Sequence, residues 1–398
     1  MPSEVNKIRR TFLLTEFLHT FPISFIFPVY VLFLKDNGLS LIEIGIINTS
    51  YMFLVFLLEI PTGVIADVVS RKLSIVIGTG LYILAPLIYF FSSTFIWFLM
   101  AELTIGLGMC FVSGALEAWV KDKLDETGEP HNLGELYSQY FMVKRICVII
   151  GGTLGGLVAI YSMRSVWLIA GIGEAIGFVI ILFVMKDCHL NKPDKSLKSS
   201  LLSSMKSIAC DSISFGWQNK LVLLLIMVAT CSQMSGQALN MQWSLQAEKY
   251  FDLKSITPIW LGISTFMFLG AWWSKQILND ERKKKSLIFW SNILAGIPIL
   301  IIAYFFNGWI IFSGFMISEF GRGVFPAAQK AYVQNLIPAD KRATITSFDS
   351  MIQRLGMGIA WLSAGWIAQM ASIEFAWLLS GIGFILTAML SRKLPNGH

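Results

Sequence analysis

Twelve runs of predominantly apolar residues follow one another along this chain, each long enough to cross a bilayer: 11–34, 41–66, 73–91, 95–120, 136–160, 165–185, 220–246, 256–277, 286–305, 308–333, 344–370 and 373–391. A helix needs about 20 residues to span the hydrocarbon core. Inside lipid the backbone must satisfy its own N–H and C=O groups, so runs of this length are expected as helices. Composition agrees: 55% of the 398 residues are hydrophobic and 14% charged, with a mean hydropathy of +0.66. A soluble domain carries about 25% charge, so the expected class is an all-α polytopic membrane protein in contact with the lipid bilayer.

The net charge of +6 is spread over short loops rather than gathered into a patch. It reads as a topology signal and speaks against a nucleic-acid partner. Lys7, Arg9, Arg10, Arg71, Lys72, Lys121, Lys123, Arg282 to Lys285, Lys341, Arg342, Arg392 and Lys393 all fall on the Met1 side of the spans. The opposite loops carry Lys35, Arg164, Lys249 and Lys254. This asymmetry predicts both termini in the cytoplasm, in a multi-pass protein of the plasma membrane. The apolar run after Arg10 is too long for a cleaved signal and lacks a small-residue cleavage site, so no removed signal peptide is expected. Five dispersed cysteines without a Cys-x-x-Cys point to no disulfide frame, metal site or cofactor.

The longest polar interruption, Lys186 to Asn219, separates six spans from six. It divides the chain into an N-terminal bundle at 1–185, a cytoplasmic linker at 186–219 and a C-terminal bundle at 220–398. Within the linker Leu201, Met205, Ile208, Ser212 and Phe215 recur at helical spacing, as in an interfacial amphipathic helix that tethers the bundles. The two halves share short strings in the same order. Glu117-Ala-Trp-Val-Lys is matched by Lys330-Ala-Tyr-Val-Gln, and Met142-Val-Lys-Arg145 by Met351-Ile-Gln-Arg354. Gly156-Leu-Val-Ala159 is matched by Gly365-Trp-Ile-Ala368. Such order supports two six-helix bundles repeated in parallel.

Between the second and third spans, Glu59 to Lys72 reads as a tight polar turn in which Gly63, Asp67, Arg71 and Lys72 follow the spacing Gly-x-x-x-Asp-x-x-x-Arg-Lys. This resembles the signature loop of the major facilitator superfamily of transporters. Val68 stands where that pattern has a basic residue and Ser70 where it has Gly. The resemblance implies twelve transmembrane helices in two pseudo-symmetric six-helix bundles, working by alternating access. It also implies that Asp67 meets the helix start near Arg342 to Ser347. Asp67, Arg71 and Lys72 would then form a latch with Glu117 or Asp122 at the end of the fourth span, with Gly63 letting two backbones meet. A helix start favours such a carboxylate by about 0.3–1 kcal/mol, and by up to about 2 when partly buried.

Ionisable side chains inside a membrane are costly and mark function. Glu16, Glu102 and Glu319 lie within spans and are the candidates for proton coupling; His19 and Glu174 also lie within spans. Arg145, Arg322, Asp349 and Arg354 are expected in a cavity or a charged helix interface rather than against lipid. Glu319 and Arg322, three apart on one helix face, can neutralise each other or take part in coupling. Glu102-Leu-Thr-Ile-Gly106-Leu-Gly108 resembles the superfamily's fourth-helix pattern, with Glu102 in place of its Arg. Ser113 to Asp122 resembles the end of the fourth helix in bacterial drug exporters. Gly151-Gly152-Thr-Leu-Gly155-Gly156 resembles the glycine-rich motif of antiporters without its Pro, and serves either that role or close helix packing. Trp243, Trp361, Trp366 and Phe25 are candidates to line an adaptable apolar cavity.

The expected function is therefore a proton-coupled exporter of small amphipathic or drug-like compounds, acting as a monomer. Uptake of another small solute and a non-transporting membrane sensor are the alternatives. An enzyme is not expected: of the four His only His19 falls well inside a span, and neither a His-Glu-x-x-His nor a Ser–His pair is present.

Overall fold

The computed structural model describes residues 4–128, 133–187, 219–278, 281–305, 307–336 and 342–395. The expected amphipathic helix of the linker lies outside them. The described residues form fourteen α-helices. The first seven are α1 (Glu4–Ser24), α2 (Tyr30–Asp36), α3 (Leu41–Val68), α4 (Arg71–Phe91), α5 (Phe95–Thr127), α6 (Leu133–Ala159) and α7 (Met163–Val184). The rest are α8 (Lys220–Ser235), α9 (Gln237–Tyr250), α10 (Ile256–Ile277), α11 (Glu281–Ile302), α12 (Gly308–Leu336), α13 (Arg342–Met370) and α14 (Ile373–Ser391).

Each expected span corresponds to one helix or to a broken pair. The first is interrupted between α1 and α2, where Phe25–Val29 form turns around Pro28, a residue that cannot donate to a helical ladder. The seventh is interrupted at Gly236 between α8 and α9. Nine of the spans are apolar enough to cross a membrane by length and composition alone among the described residues. The others are α1, α12 and α13, which carry Glu16, the Glu319–Arg322 pair, and Asp349 with Arg354. Serine and asparagine side chains start several helices by accepting orphan backbone N–H groups: Ser70 from Leu73, Ser162 from Ser165, Asn219 from Leu221 and Val222, and Ser372 from Phe375.

The chain forms two compact units, Met1–Asn37 with Ser50–Ser203, and Gly38–Thr49 with Ser204–His398. In the first, α4 packs on α5 and α7, and α1 on α5, α6 and α7. In the second, α11 packs on α12 and α14, and α8 on α13 and α14. The pairings α4–α5, α4–α7, α1–α6 and α1–α7 thus recur as α11–α12, α11–α14, α8–α13 and α8–α14. This is the structural counterpart of the repeated strings.

The core of unit 1 gathers Phe12, Ile75, Tyr82, Trp119 and Leu136, all buried. The core of unit 2 gathers Val228, Ile288, Val324, Phe325 and Ala328. Gly155 is where α6 meets the end of α1: a Cβ built there overlaps the backbone of Phe25. Gly155→Leu is expected to abolish this approach and destabilise unit 1 by about 1–3 kcal/mol or more through overpacking. Gly114→Ala, at a position whose added Cβ meets nothing within 4 Å, is the control. Thermal unfolding in detergent should lower the midpoint of the first variant only.

Candidate functional site

At one end of unit 1 the signature stretch is helical further than its sequence suggests. α3 continues through Val68, and only Val69 and Ser70 separate it from α4. Ser70 caps α4 and donates from Oγ to Asp187 Oδ2 at 2.7 Å. Arg71 Nε donates to Asp122 Oδ2 on α5 at 3.2 Å. Lys72 Nζ donates to the Leu182 carbonyl at 2.9 Å, one of the orphan acceptors at the end of α7. Trp119 Nε1 adds a 2.7 Å hydrogen bond to the Lys186 carbonyl. The loop therefore ties α4, α5 and the end of α7 together. The side chains of Asp67, and of Arg342 to Ser347 apart from Ile345, lie outside the described residues. Among those described, a Cβ on Gly63 meets nothing within 4 Å, and Glu117 is exposed.

Within the membrane part of unit 1 the acidic residues are buried and answered. Glu16, 3% exposed, accepts from Thr20 Oγ1 at 2.5 Å and lies 3.6 Å from Lys144 Nζ. Glu174, 1% exposed, lies 3.0 Å from His19 Nδ1. Glu102 accepts from the Tyr89 hydroxyl at 2.7 Å, and Tyr30 hydrogen-bonds the same carboxyl. Tyr89 stacks on Trp167 with ring centroids 3.8 Å apart. Gly151 and Gly155 both face the end of α1, and Gly152 and Gly156 are buried in α6. Arg145 is exposed on α6.

In unit 2 a hydrogen-bonded chain crosses from α9 to α12. Gln237 Nε2 donates to the Gln233 carbonyl, Asn240 Nδ2 to Gln237 Oε1, and Arg322 Nη2 to Asn240 Oδ1 at 2.6 Å. Arg322 Nη1 pairs with Glu319, which is 1% exposed. Gly236, at the break between α8 and α9, leaves room for this guanidinium: a Cβ there would sit 2.9 Å from Arg322 Nη2. Asp349 accepts from Gln353 at 2.7 Å and lines a cavity of about 20 Å³ with Val222, Gln329 and Val333. Arg354 is half-buried on α13. Trp243 and Trp361 are buried, as is Phe25 in unit 1, whereas Trp366 is exposed. Sequence reasoning singled out Glu16, Glu102, Glu319 and Arg322. It missed Thr20, Gln237 and Asn240, whose signal was polar residues three or four positions apart in apolar runs, and Tyr89, which no such spacing marked. No group of His, Cys, Asp or Glu among the described residues is arranged to hold a metal ion.

A family model described as Major Facilitator Superfamily matches residues 12–282. An uncharacterized MFS-type transporter of Methanocaldococcus jannaschii is 24% identical over 94% of this chain and 92% of its own. A second from that organism is 25% identical over 49% of this chain and 50% of its own. Quinolone resistance protein NorA of Staphylococcus aureus is 24% identical over 46% of this chain and 45% of its own. The alignment thus spans about half the length of two of these three relatives. Among solved structures, nucleoside transporter NupG superposes with a TM-score of 0.78 at 14% identity, covering 97% of this chain and 99% of that one. A POT family transporter gives 0.73 at 13% identity, covering 96% and 94%. At these identities the structural likeness concerns the fold.

Removing Arg322 takes the cation from a buried carboxylate, a change that typically costs about 3–5 kcal/mol. Arg322→Gln is expected to lower the thermal unfolding midpoint strongly. The double variant Glu319→Gln, Arg322→Gln should recover most of the loss. Equal destabilisation by single and double variants would contradict the pairing.

Proposed function

Because the chain belongs to the Major Facilitator Superfamily of transporters, we propose that it exports small amphipathic or drug-like compounds across the plasma membrane in exchange for protons. The observation that carries the coupling is Glu102. It is buried, and Tyr89 and Tyr30 hold it through hydroxyl groups. A carboxyl held by phenols takes up and releases a proton without dismantling an ion pair. Glu16 and Glu319, held beside Lys144 and Arg322, are the other candidates, and protonation there competes with the neighbouring cation. Export is supported by the similarity to NorA, which covers about half of each chain. In this reading both termini are cytoplasmic, the protein acts as a monomer, and the Gly63–Lys72 stretch is a conformational latch that biases the transport equilibrium without touching substrate.

Everted membrane vesicles energised with a pH gradient, acidic inside, and supplied from outside with the fluorescent cation ethidium test the proposal. Active protein should move dye inward and dissipate the gradient. Glu102→Gln should cut proton-driven accumulation about tenfold or more, the scale on which a positioned proton-transfer group acts. Asp67→Asn should slow transport while leaving the apparent dye affinity little changed. Dye movement in the opposite sense would favour uptake, and none with any amphipathic cation would favour a sensor.

A further inference from the structure

His19 and Glu174 were brought together by folding, from opposite ends of unit 1's sequence. His19 lies on α1 and Glu174 in the middle of α7, with Nδ1 and Oε1 3.0 Å apart. The Glu174 side chain is 2% exposed and that of His19 20%. The imidazole also stacks on Tyr82 of α4, centroids 4.0 Å apart at 18°. The ring is therefore held from two sides, by a buried carboxyl and by a buried aromatic face, while part of it stays accessible. A histidine packed only for volume needs neither. Holding an imidazole by one nitrogen fixes which nitrogen is left to exchange.

We infer that His19 and Glu174 form a proton-binding site in unit 1, distinct from Glu16, Glu102 and Glu319. One proton lies in the hydrogen bond between Nδ1 and Oε1. Nε2 takes a second proton from water, and the pair's charge goes from −1 to 0. Release of the same proton reverses the change. No bond other than N–H is made or broken. Of the other titratable groups, Tyr82 on α4 meets the pair directly, stacking on the imidazole and interacting with Glu174, and it also neighbours Tyr51 on α3, Cys110 on α5 and Glu16 on α1; Glu16 in turn faces Lys144, Tyr140 and Cys147 on α6. His19 is the group that meets Glu174 directly, at 3.0 Å. The assignment of proton binding rests on this geometry; its use in transport rests on the export reading above.

The chain has four histidines, His19, His131, His189 and His398, so ring signals of histidine-labelled protein in nanodiscs are few enough to assign with His19→Gln. The readout is the pH dependence of the His19 signal. Its midpoint should move by about one unit or more, tenfold in proton affinity, in Glu174→Gln, while the other three signals stay in place. Glu174→Asp, a milder change, should move it less and serves if the Gln variant does not fold. A His19 midpoint unchanged in both variants, or a ring that does not titrate, overturns the site. In the vesicle assay, His19→Gln and Glu174→Gln should each alter the pH profile of ethidium transport. Transport with an unaltered profile would overturn the pair's part in coupling. Absence of ethidium transport by the unmodified protein would instead count against the export reading and leave the histidine titration standing as its own test.

Discussion

A charged side chain in hydrocarbon must be answered by a neighbour, because no water is there to do it. That constraint organises both halves of this molecule. Glu16 sits beside Lys144, Glu174 against His19, Glu102 under Tyr89, and Glu319 against Arg322. Each pair except Glu319–Arg322 joins two different helices, so each also fixes which helices pack. A buried pair is weak evidence for stability, since desolvation cancels much of the Coulomb gain. The apolar packing of Phe12, Trp119 and Ile75 in one unit, and of Ile288 and Phe325 in the other, holds the helices. The polar pairs select one arrangement of them.

The first transmembrane segment of each half is broken, and a polar cluster lies close to each break. Glu16, His19 and Thr20 precede the turn at Phe25–Val29, and Gln237 and Asn240 follow the break at Gly236. A helix interior has no spare hydrogen-bonding groups, whereas an end or a break leaves side chains and backbone free to meet a neighbour. The shared pairing of helices in the two units extends this likeness beyond sequence, where only short strings survive. It accounts for a likeness of fold to the nucleoside transporter NupG that persists at 14% identity.

Much of this was legible in the sequence, for a physical reason. Spans of about 20 apolar residues have one solution in lipid, so the helices from α3 to α7 and from α10 to α14 fall where the apolar runs put them. The breaks at Phe25–Val29 and Gly236 were not assigned from the sequence: apolar residues run through the first, and the only marks were Pro28 there and Gly236 among Ser232, Gln233, Ser235 and Gln237 in the second. The buried acids were visible as rare residues, but their partners were not: Glu174 and His19 are 155 positions apart. No helical period connects such residues, and only the packing of α1 against α7 does. The mirror case is Glu319 and Arg322, three apart, where the period alone predicted the pair.

The signature loop shows how a family pattern and one chain's chemistry combine. Ser70 departs from the pattern's Gly, and its hydroxyl caps α4 and reaches Asp187 beyond the end of α7. A glycine could do neither. Lys72 reaches the carbonyl of Leu182, and Trp119 that of Lys186. Four side chains from the loop and from α5 thus converge on α5 and the end of α7, just before the segment that leads to the second half. Anchors of this kind are partly solvated, so each alone contributes little to stability. Together they make the end of α7 move with the loop. Whatever displaces the α3–α4 corner must therefore carry the end of α7 with it.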